Sequence, residues 1–319
     1  MKKKKQKKLY ITGISGFIGS RLAKRCAEAG HHVIGISRRN CPELSRELGI
    51  EVIKADLLDR SSIKLDFADT VIHCATSNDI ISRDFHDGVS LSVFGTRNLL
   101  DATCAAGIQE FIFFSTAQVY GTELHGQVSI QTATRCETPY ALNHLFGEEL
   151  CKMYSTRNDG LNCIALRPSN IYGVPEVSTV NRCTLVPICF VDEAIKNKTI
   201  NLRSSGMQTR NFVSTDEVCD DVIRLLDDFP LGFTTINSGS NWCTSILEIA
   251  RIVEEVYLRK YGAKIDINIM NDYPKNPNIF KYESEFQFCK CDTYGCVEKM
   301  THVIHKLFEK YSILQLSGK

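Results

Sequence analysis

A glycine-rich turn between a short apolar strand and a helix constrains this chain more than any other feature. Leu9, Tyr10 and Ile11 make the strand, and Gly13, Gly16 and Gly19 follow at three-residue spacing. Ala23, Cys26 and Ala27 continue a helical apolar stripe to Gly30, a natural helix stop. Val33 to Ile36 then reads as a second buried strand, so residues 8–40 form one βαβ unit. Each glycine has a physical job. Gly13 permits a tight turn, Gly16 lets backbone N–H groups approach a pyrophosphate, and Gly19 lets the helix lie close to the strand. The helix start adds unpaired N–H groups and the positive end of its dipole. A dinucleotide site is expected at this turn.

The alternation continues. Strands are expected at 51–55, 70–75, 111–114 and 163–166, with helices at 89–106 and 139–154. Strands lacking polar alternation and separated by helices imply a parallel sheet covered on both faces. Right-handed crossovers make it a doubly wound α/β (Rossmann) fold. Ligands in such folds lie at the carboxyl ends of the strands, where Asp56, Ala75-Thr76, Ser115-Thr116 and Arg167-Pro168 fall. After about residue 170 the pattern loosens. Helices are expected at 185–196, 216–226 (with Asp216 as N-cap), 245–261 and 297–311, and short strands at 200–202, 234–237 and 265–269. The expected organisation is a basic tail over 1–8 and a dinucleotide-binding domain over 9–175, to which part of the later chain returns. A smaller α/β substrate lobe over 176–319 completes it.

A chain of 319 residues can bury a core of this size. Its net charge of +1 gives no global attraction to nucleic acid or an anionic membrane. The basic block from Lys2 to Lys8, broken by Gln6, reads as a solvated tail; it lacks the apolar segment of a signal peptide. No stretch approaches membrane-spanning length, so a cytoplasmic location is expected, with no membrane or nucleic-acid partner. Of the 14 cysteines, Cys74, Cys163 and Cys219 sit at apolar positions and are expected to act as small hydrophobes. Cys289, Cys291 and Cys296, followed by His302 and His305, contain no CxxC pair, and no metal site is expected.

Several segments together resemble the extended short-chain dehydrogenase/reductase family, the nucleotide-sugar epimerases and dehydratases, over about residues 8–250. They are Thr12-Gly-Ile-Ser-Gly-Phe-Ile-Gly19, Ala55-Asp56-Leu57, Val71-Ile-His-Cys-Ala75, Ser92-Val-Phe-Gly-Thr-Arg-Asn98, Ser115-Thr-Ala-Gln-Val-Tyr-Gly121, Thr138-Pro-Tyr-Ala-Leu-Asn-His144, Leu166-Arg-Pro-Ser-Asn-Ile-Tyr-Gly173 and Gln208-Thr-Arg-Asn-Phe212. The resemblance implies cofactor contacts from Gly13, Ser15, Gly16, Phe17, Ile18, Gly19, Ser37, Arg38, Asp56, Leu57, Cys74, Ala75, Thr76, Tyr140, His144 and Pro168. It implies Tyr140 as general acid/base, Thr116 orienting the same oxygen, and Thr116, Gln118, Asn170 and Arg210 on a nucleotide-sugar substrate. It also implies a homodimer through the helices near 89–106 and 139–154.

Three departures from the family pattern carry expectations of their own. His144 stands where the family has lysine, and an imidazole is mostly neutral at pH 7, so Tyr140 is expected to be less acidic than usual. Ser37-Arg38-Arg39 replaces the carboxylate of NAD-specific members, which favours NADP over NAD because arginines attract a 2′-phosphate. Ala117-Gln118 replaces the Asp-Glu that 4,6-dehydratases use for elimination, and an amide does not titrate. The implied activity is NAD(P)-dependent 4-keto reduction or 4-epimerisation of a nucleotide sugar. The alternative is a dinucleotide-binding member whose catalysis is lost or weakened through His144.

Overall fold

The computed structural model describes residues 5–39, 42–157, 160–177, 180, 182–273, 276–286 and 290–316. The first half alternates β1 (Lys8–Thr12), α1 (Phe17–Glu28), β2 (His32–Ser37), α2 (Pro42–Leu48), β3 (Glu51–Lys54), β4 (Thr70–His73), α3 (Phe85–Val89), α4 (Thr96–Ala105), β5 (Glu110–Phe114), β6 (Gly126–Val128), α5 (Pro139–Ser155) and β7 (Asn162–Pro168). The second half runs β8 (Asn170–Tyr172), α6 (Val186–Asn197), β9 (Thr199–Leu202), β10 (Thr209–Ser214), α7 (Thr215–Asp227), β11 (Phe233–Ser238), β12 (Cys243–Ser245), α8 (Ile246–Tyr261), β13 (Asp266–Ile269), β14 (Phe280–Tyr282) and α9 (Thr293–Leu316).

Seven parallel strands form one sheet in the order β11-β7-β5-β4-β1-β2-β3. Its period-2 pleat feeds two cores. Leu9, Ile11, Ile72 and Ile112 face α1 and α7, while Tyr10, Val71, Phe111 and Phe113 face α4 and α5. Each such side chain contributes roughly 1.5–3 kcal/mol by leaving water. Strand order reverses between β1 and β4, which opens a crevice at their carboxyl ends. A third core, with Phe212, Trp242, Val253 and Phe308, joins α6, α8 and α9.

Part of the later chain returns to the large sheet: β11 pairs with β7, and α7 packs on α1. Several local expectations change. The N-cap of α7 is Ser214, not Asp216. Ser214 Oγ accepts from Glu217 N–H (3.2 Å) and Glu217 returns an acceptor to Ser214 N–H (3.1 Å), which satisfies two end donors at once. Asp216 instead pairs with Arg21 at 2.7 Å. The helix expected from residue 89 starts at Phe85, because Asp84 Oδ1 accepts from Asp87 N–H, and it widens into i+5 bonding over Ser90–Gly95. β6, β8, β10, β12 and β14 carry no long apolar run or strict alternation that marks a strand in the sequence. Lys5 and Gln6 are exposed, but Lys7 is buried with Nζ 2.7 and 2.8 Å from Glu110, and Lys8 opens β1. Lys2 to Lys4 and Cys289 lie outside the described residues. Cys163 and Cys219 are buried, whereas Cys74 is half-buried. Among the described residues no helix is long and apolar enough to cross a membrane.

Candidate active site

The turn after β1 is built as its spacing demands. Gly13 sits at φ +70°, and a Cβ on Gly19 would come within 2.3 Å of the Gly13 carbonyl oxygen. Gly16 N–H donates to that same oxygen at 2.8 Å and gives α1 no side-chain cap. The first N–H groups of α1 therefore have no side-chain acceptor at the cap. Ser15, Gly16, Phe17 and Ile18 line a cavity of about 400 Å³. Gly13, Gly19, Ser37, Arg38, Leu57, Cys74, Ala75, Thr76, Tyr140 and His144 also line it. This donor-rich lining fits a dinucleotide: uncapped helix donors for the phosphates, Arg38 at the end of β2, and the apolar Ala55 and Leu57 walls.

Two expected contacts do not face the cavity. Asp56 Oδ1 accepts from Leu58 N–H at 3.0 Å, and its neighbours Ala55 and Leu57 provide the wall. Pro168 ends β7 opposite Ser238 of β11 and is not among the lining residues. The structure adds Ser77, Asn78, Val180 and Arg182 to the wall. It also reveals a support beneath it. Thr12 Oγ1 accepts from Cys74 and Ala75 N–H at 3.1 Å each and lies 2.7 Å from His73 Nδ1. Thr12 thus donates to Nδ1, and His73 Nε2–H donates to Thr96 Oγ1 at 3.0 Å. Burial drives His73 down to about 3, so it holds the glycine turn against β4 as a neutral ring.

α5 begins where Thr138 Oγ1 accepts from Ala141 N–H (3.1 Å), with Pro139 in its first turn. That fixes Tyr140 and His144 one turn apart, their rings 4.3 Å between centroids. His144 is buried. Its Nδ1 lies 2.9 Å from the Tyr140 carbonyl, which can only accept, so Nδ1 carries the proton. Nε2 then accepts from Thr76 Oγ1 at 3.1 Å. Burial lowers its pKa to about 4, so the side chain is uncharged at neutral pH. Tyr140 is half-buried, and the side chain of Thr116 acts on its phenol. Burial raises its phenol above 10, Thr116 and the charge of Arg182 pull it down, and Asp79 pushes it up. Thr116 itself lines no cavity wall; it meets the site through Tyr140 and accepts from Gln118 N–H at 3.2 Å.

Gln118, Asn170 and Arg210 come together on a second cavity of about 130 Å³, beside Ser169, Asn211, Phe280 and Tyr282. The aromatic pair comes from β14, which no sequence pattern marked. Asn170 Nδ2 donates to the Asn211 carbonyl at 2.9 Å, and Arg210 Nη1 to the Thr209 carbonyl at 3.0 Å. Burial lowers the pKa of Arg210, and the charge of Glu123 opposes this. Behind both cavities, buried Glu148 takes Arg167 through Nε (2.8 Å) and Nη2 (2.5 Å) and also accepts from Ser115 Oγ. This closed network fixes the ends of β5 and β7, which carry Thr116 and Asn170.

The model of the NAD dependent epimerase/dehydratase family matches residues 9–237. The chain belongs to that family. It is 28% identical over 270 residues to an uncharacterized UDP-glucose epimerase of Bacillus subtilis (strain 168), covering 79% of this chain and 83% of the relative. It is 25% identical over 276 residues to the dTDP-4-dehydro-6-deoxy-D-allose reductase of Streptomyces bikiniensis, covering 81% and 83%. Among solved structures, MoeE5 in complex with UDP-glucose and NAD superposes with a TM-score of 0.78 at 21% identity, over 96% of this chain and 99% of that one. RMD from Pseudomonas aeruginosa complexed with NADPH gives 0.75 at 19% identity, over 96% and 99%. The family member described here thus has relatives named as epimerases and reductases of nucleotide sugars, and fold neighbours holding NAD or NADPH.

Proposed function

We propose that this family member uses NADP, in preference to NAD, to reduce a 4-keto nucleotide sugar or to epimerise a nucleotide sugar at C4. The observation that carries the reading is Tyr140 on the wall of the glycine-turn cavity, with the Thr116 side chain acting on its phenol. Tyr140 opens on the glycine-turn cavity, and Gln118, two residues after Thr116 in the same turn, opens on the second cavity with Asn170 and Arg210. The dinucleotide supplies hydride uptake and delivery when bound. Tyr140 takes or returns the proton of the sugar hydroxyl, and Thr116 holds the same oxygen. Arg210, desolvated and without a carboxylate partner among the described ion pairs, suits a diphosphate, because its planar fork donates two parallel bonds.

Ser37 and Arg38 on the cavity wall support the NADP preference, since a carboxylate there would repel a 2′-phosphate. Among the described residues lining the two cavities there is no carboxylate, which supports reduction or epimerisation over elimination of water. Exposed Phe94, Phe146 and Met153 on the outer face of the α3–α5 region support a homodimer.

The test is turnover. UDP-, GDP-, CDP- and dTDP-hexoses and their 4-keto forms are each incubated with NADPH and with NADP⁺, following absorbance at 340 nm and the sugars by chromatography. A reductase consumes NADPH with a 4-keto sugar; an epimerase interconverts C4 isomers without net change in cofactor. Elimination of water, or no turnover with any sugar despite cofactor binding, would contradict the proposal.

A further inference from the structure

Proton transfer by Tyr140 needs its phenolate, and a half-buried phenolate needs positive charge close by. Few groups can give it. His144 stacks on the ring, but its bonding pattern makes it neutral. Glu148, two turns along α5, is closed in its own pair with Arg167. Arg38 lines the cavity from the end of β2, and its charge is not among those acting on Tyr140. Arg182 and Asp79 are the charged groups that do act on it.

Arg182 comes from the segment before α6 and shares the cavity wall with Tyr140 and His144. Its Nη1 lies 3.7 Å from Asp79 Oδ1, a loose pair whose carboxylate is 44% exposed. Its Nε is buried and makes no hydrogen bond among the described residues. A guanidinium held at a cavity with an unspent donor and one distant partner is poorly explained as a structural tie, because a buried donor left unpaired costs stability.

We propose that Arg182 supplies the positive charge that stabilises ionised Tyr140, a positioning role that the neutral side chain at 144 cannot fill. This rests on the reading of Tyr140 as acid/base given above. In the step concerned, a substrate O–H bond breaks and the Tyr140 O–H bond forms, and the negative charge passes from phenolate to substrate oxygen. The reverse transfer restores both. Arginine stays protonated throughout the working pH range, so the field does not titrate away.

The test is an ultraviolet titration of tyrosinate in the full chain. Each protein is compared with its own Tyr140→Phe counterpart, so that the other 10 of the 11 tyrosines cancel. Arg182→Gln moves the Tyr140 step up by about one pH unit or more, a tenfold loss of phenolate at fixed pH. Arg182→Lys restores most of it, and Asp79→Asn moves it down. The ascending limb of any pH–rate profile follows the same shifts. A Tyr140 step in Arg182→Gln that coincides with the wild type overturns the proposal. Should that variant not fold, Arg182→Met decides by the same comparison: an upward shift of the Tyr140 step supports the proposal, and no shift or a downward one overturns it. Titrations of the wild type with NADPH and with UDP- and dTDP-sugars run alongside. Absence of binding there counts against the proposed function, while the tyrosinate step alone judges Arg182.

Discussion

Replacing Glu148 with leucine tests the network beneath the site. The substitution keeps volume but removes both acceptors of Arg167 and the acceptor of Ser115 Oγ. Arg167 is 7% exposed in its side chain, and its charge would stay buried without a counterion. Breaking a buried pair on one side costs roughly 3–5 kcal/mol. The orphaned Ser115 hydroxyl adds about 1 kcal/mol. For 319 residues the unfolding entropy is about 0.7 kcal/mol per degree, from ~2.1 cal/mol/K per residue. Glu148→Leu should therefore lower Tm by about 6–9 °C in differential scanning calorimetry. The double variant Glu148→Leu/Arg167→Met removes both charges and should recover most of that loss, an interaction energy of about 2 kcal/mol or more. A drop under 2 °C in the single variant, or additive losses in the double, would refute the reasoning. It would mean that water reaches the pair, and that the ends of β5 and β7 are held by other contacts.

Three further outcomes are expected. Arg38→Ala should weaken NADPH binding tenfold or more in calorimetric titration, about the worth of one charge-assisted hydrogen bond, and leave NADH within about twofold; equal losses would contradict the 2′-phosphate role. His73 and His144 titrate near pH 3 and pH 4 when folded but near 6.5 unfolded, so the unfolded chain binds more protons below pH 6.5. Stability is complete above that pH and falls as pH drops through it toward 4; in urea unfolding, His144→Gln should reduce the slope in this window by ~1.4 kcal/mol per pH unit, and an unchanged slope would contradict the neutral assignment. Phe94→Glu and Phe146→Glu, each at an exposed aromatic, should convert a dimer to monomer in sedimentation velocity; a wild type that stays monomeric at high concentration would remove the dimer.

The parts of this molecule that were readable in its sequence are those whose physics is local. The glycine turn is a backbone requirement, and it stands where the spacing put it, with Gly19 too close to Gly13 for any side chain. The central strands carry continuous apolar runs, because both faces of a parallel sheet are buried. What escaped is non-local. Residues 209–214 and 280–282 pair through backbone bonds to partners far along the chain, and Thr209-Arg-Asn and Phe-Lys-Tyr282 carry no run that announces a strand. Arg182 lies in Val180-Asn-Arg-Cys183, a stretch without periodicity, and only the fold brings it beside Tyr140. Asp56 does not line the cavity, and its Oδ1 serves the turn that follows it. His144 was correctly singled out as a departure, but its two hydrogen bonds and its neutrality depend on Thr76, 68 positions away.

The central claim is one site that holds a dinucleotide and a nucleotide sugar together. The most direct measurement is calorimetric titration of the purified protein with NADPH, NADP⁺, NADH and NAD⁺, followed by UDP-, GDP-, CDP- and dTDP-sugars added to the saturated complex. The account predicts tighter binding of the phosphorylated dinucleotides, then binding of sugars of one nucleotide that Arg210→Ala abolishes. Dinucleotide binding with no sugar bound by the complex would contradict it.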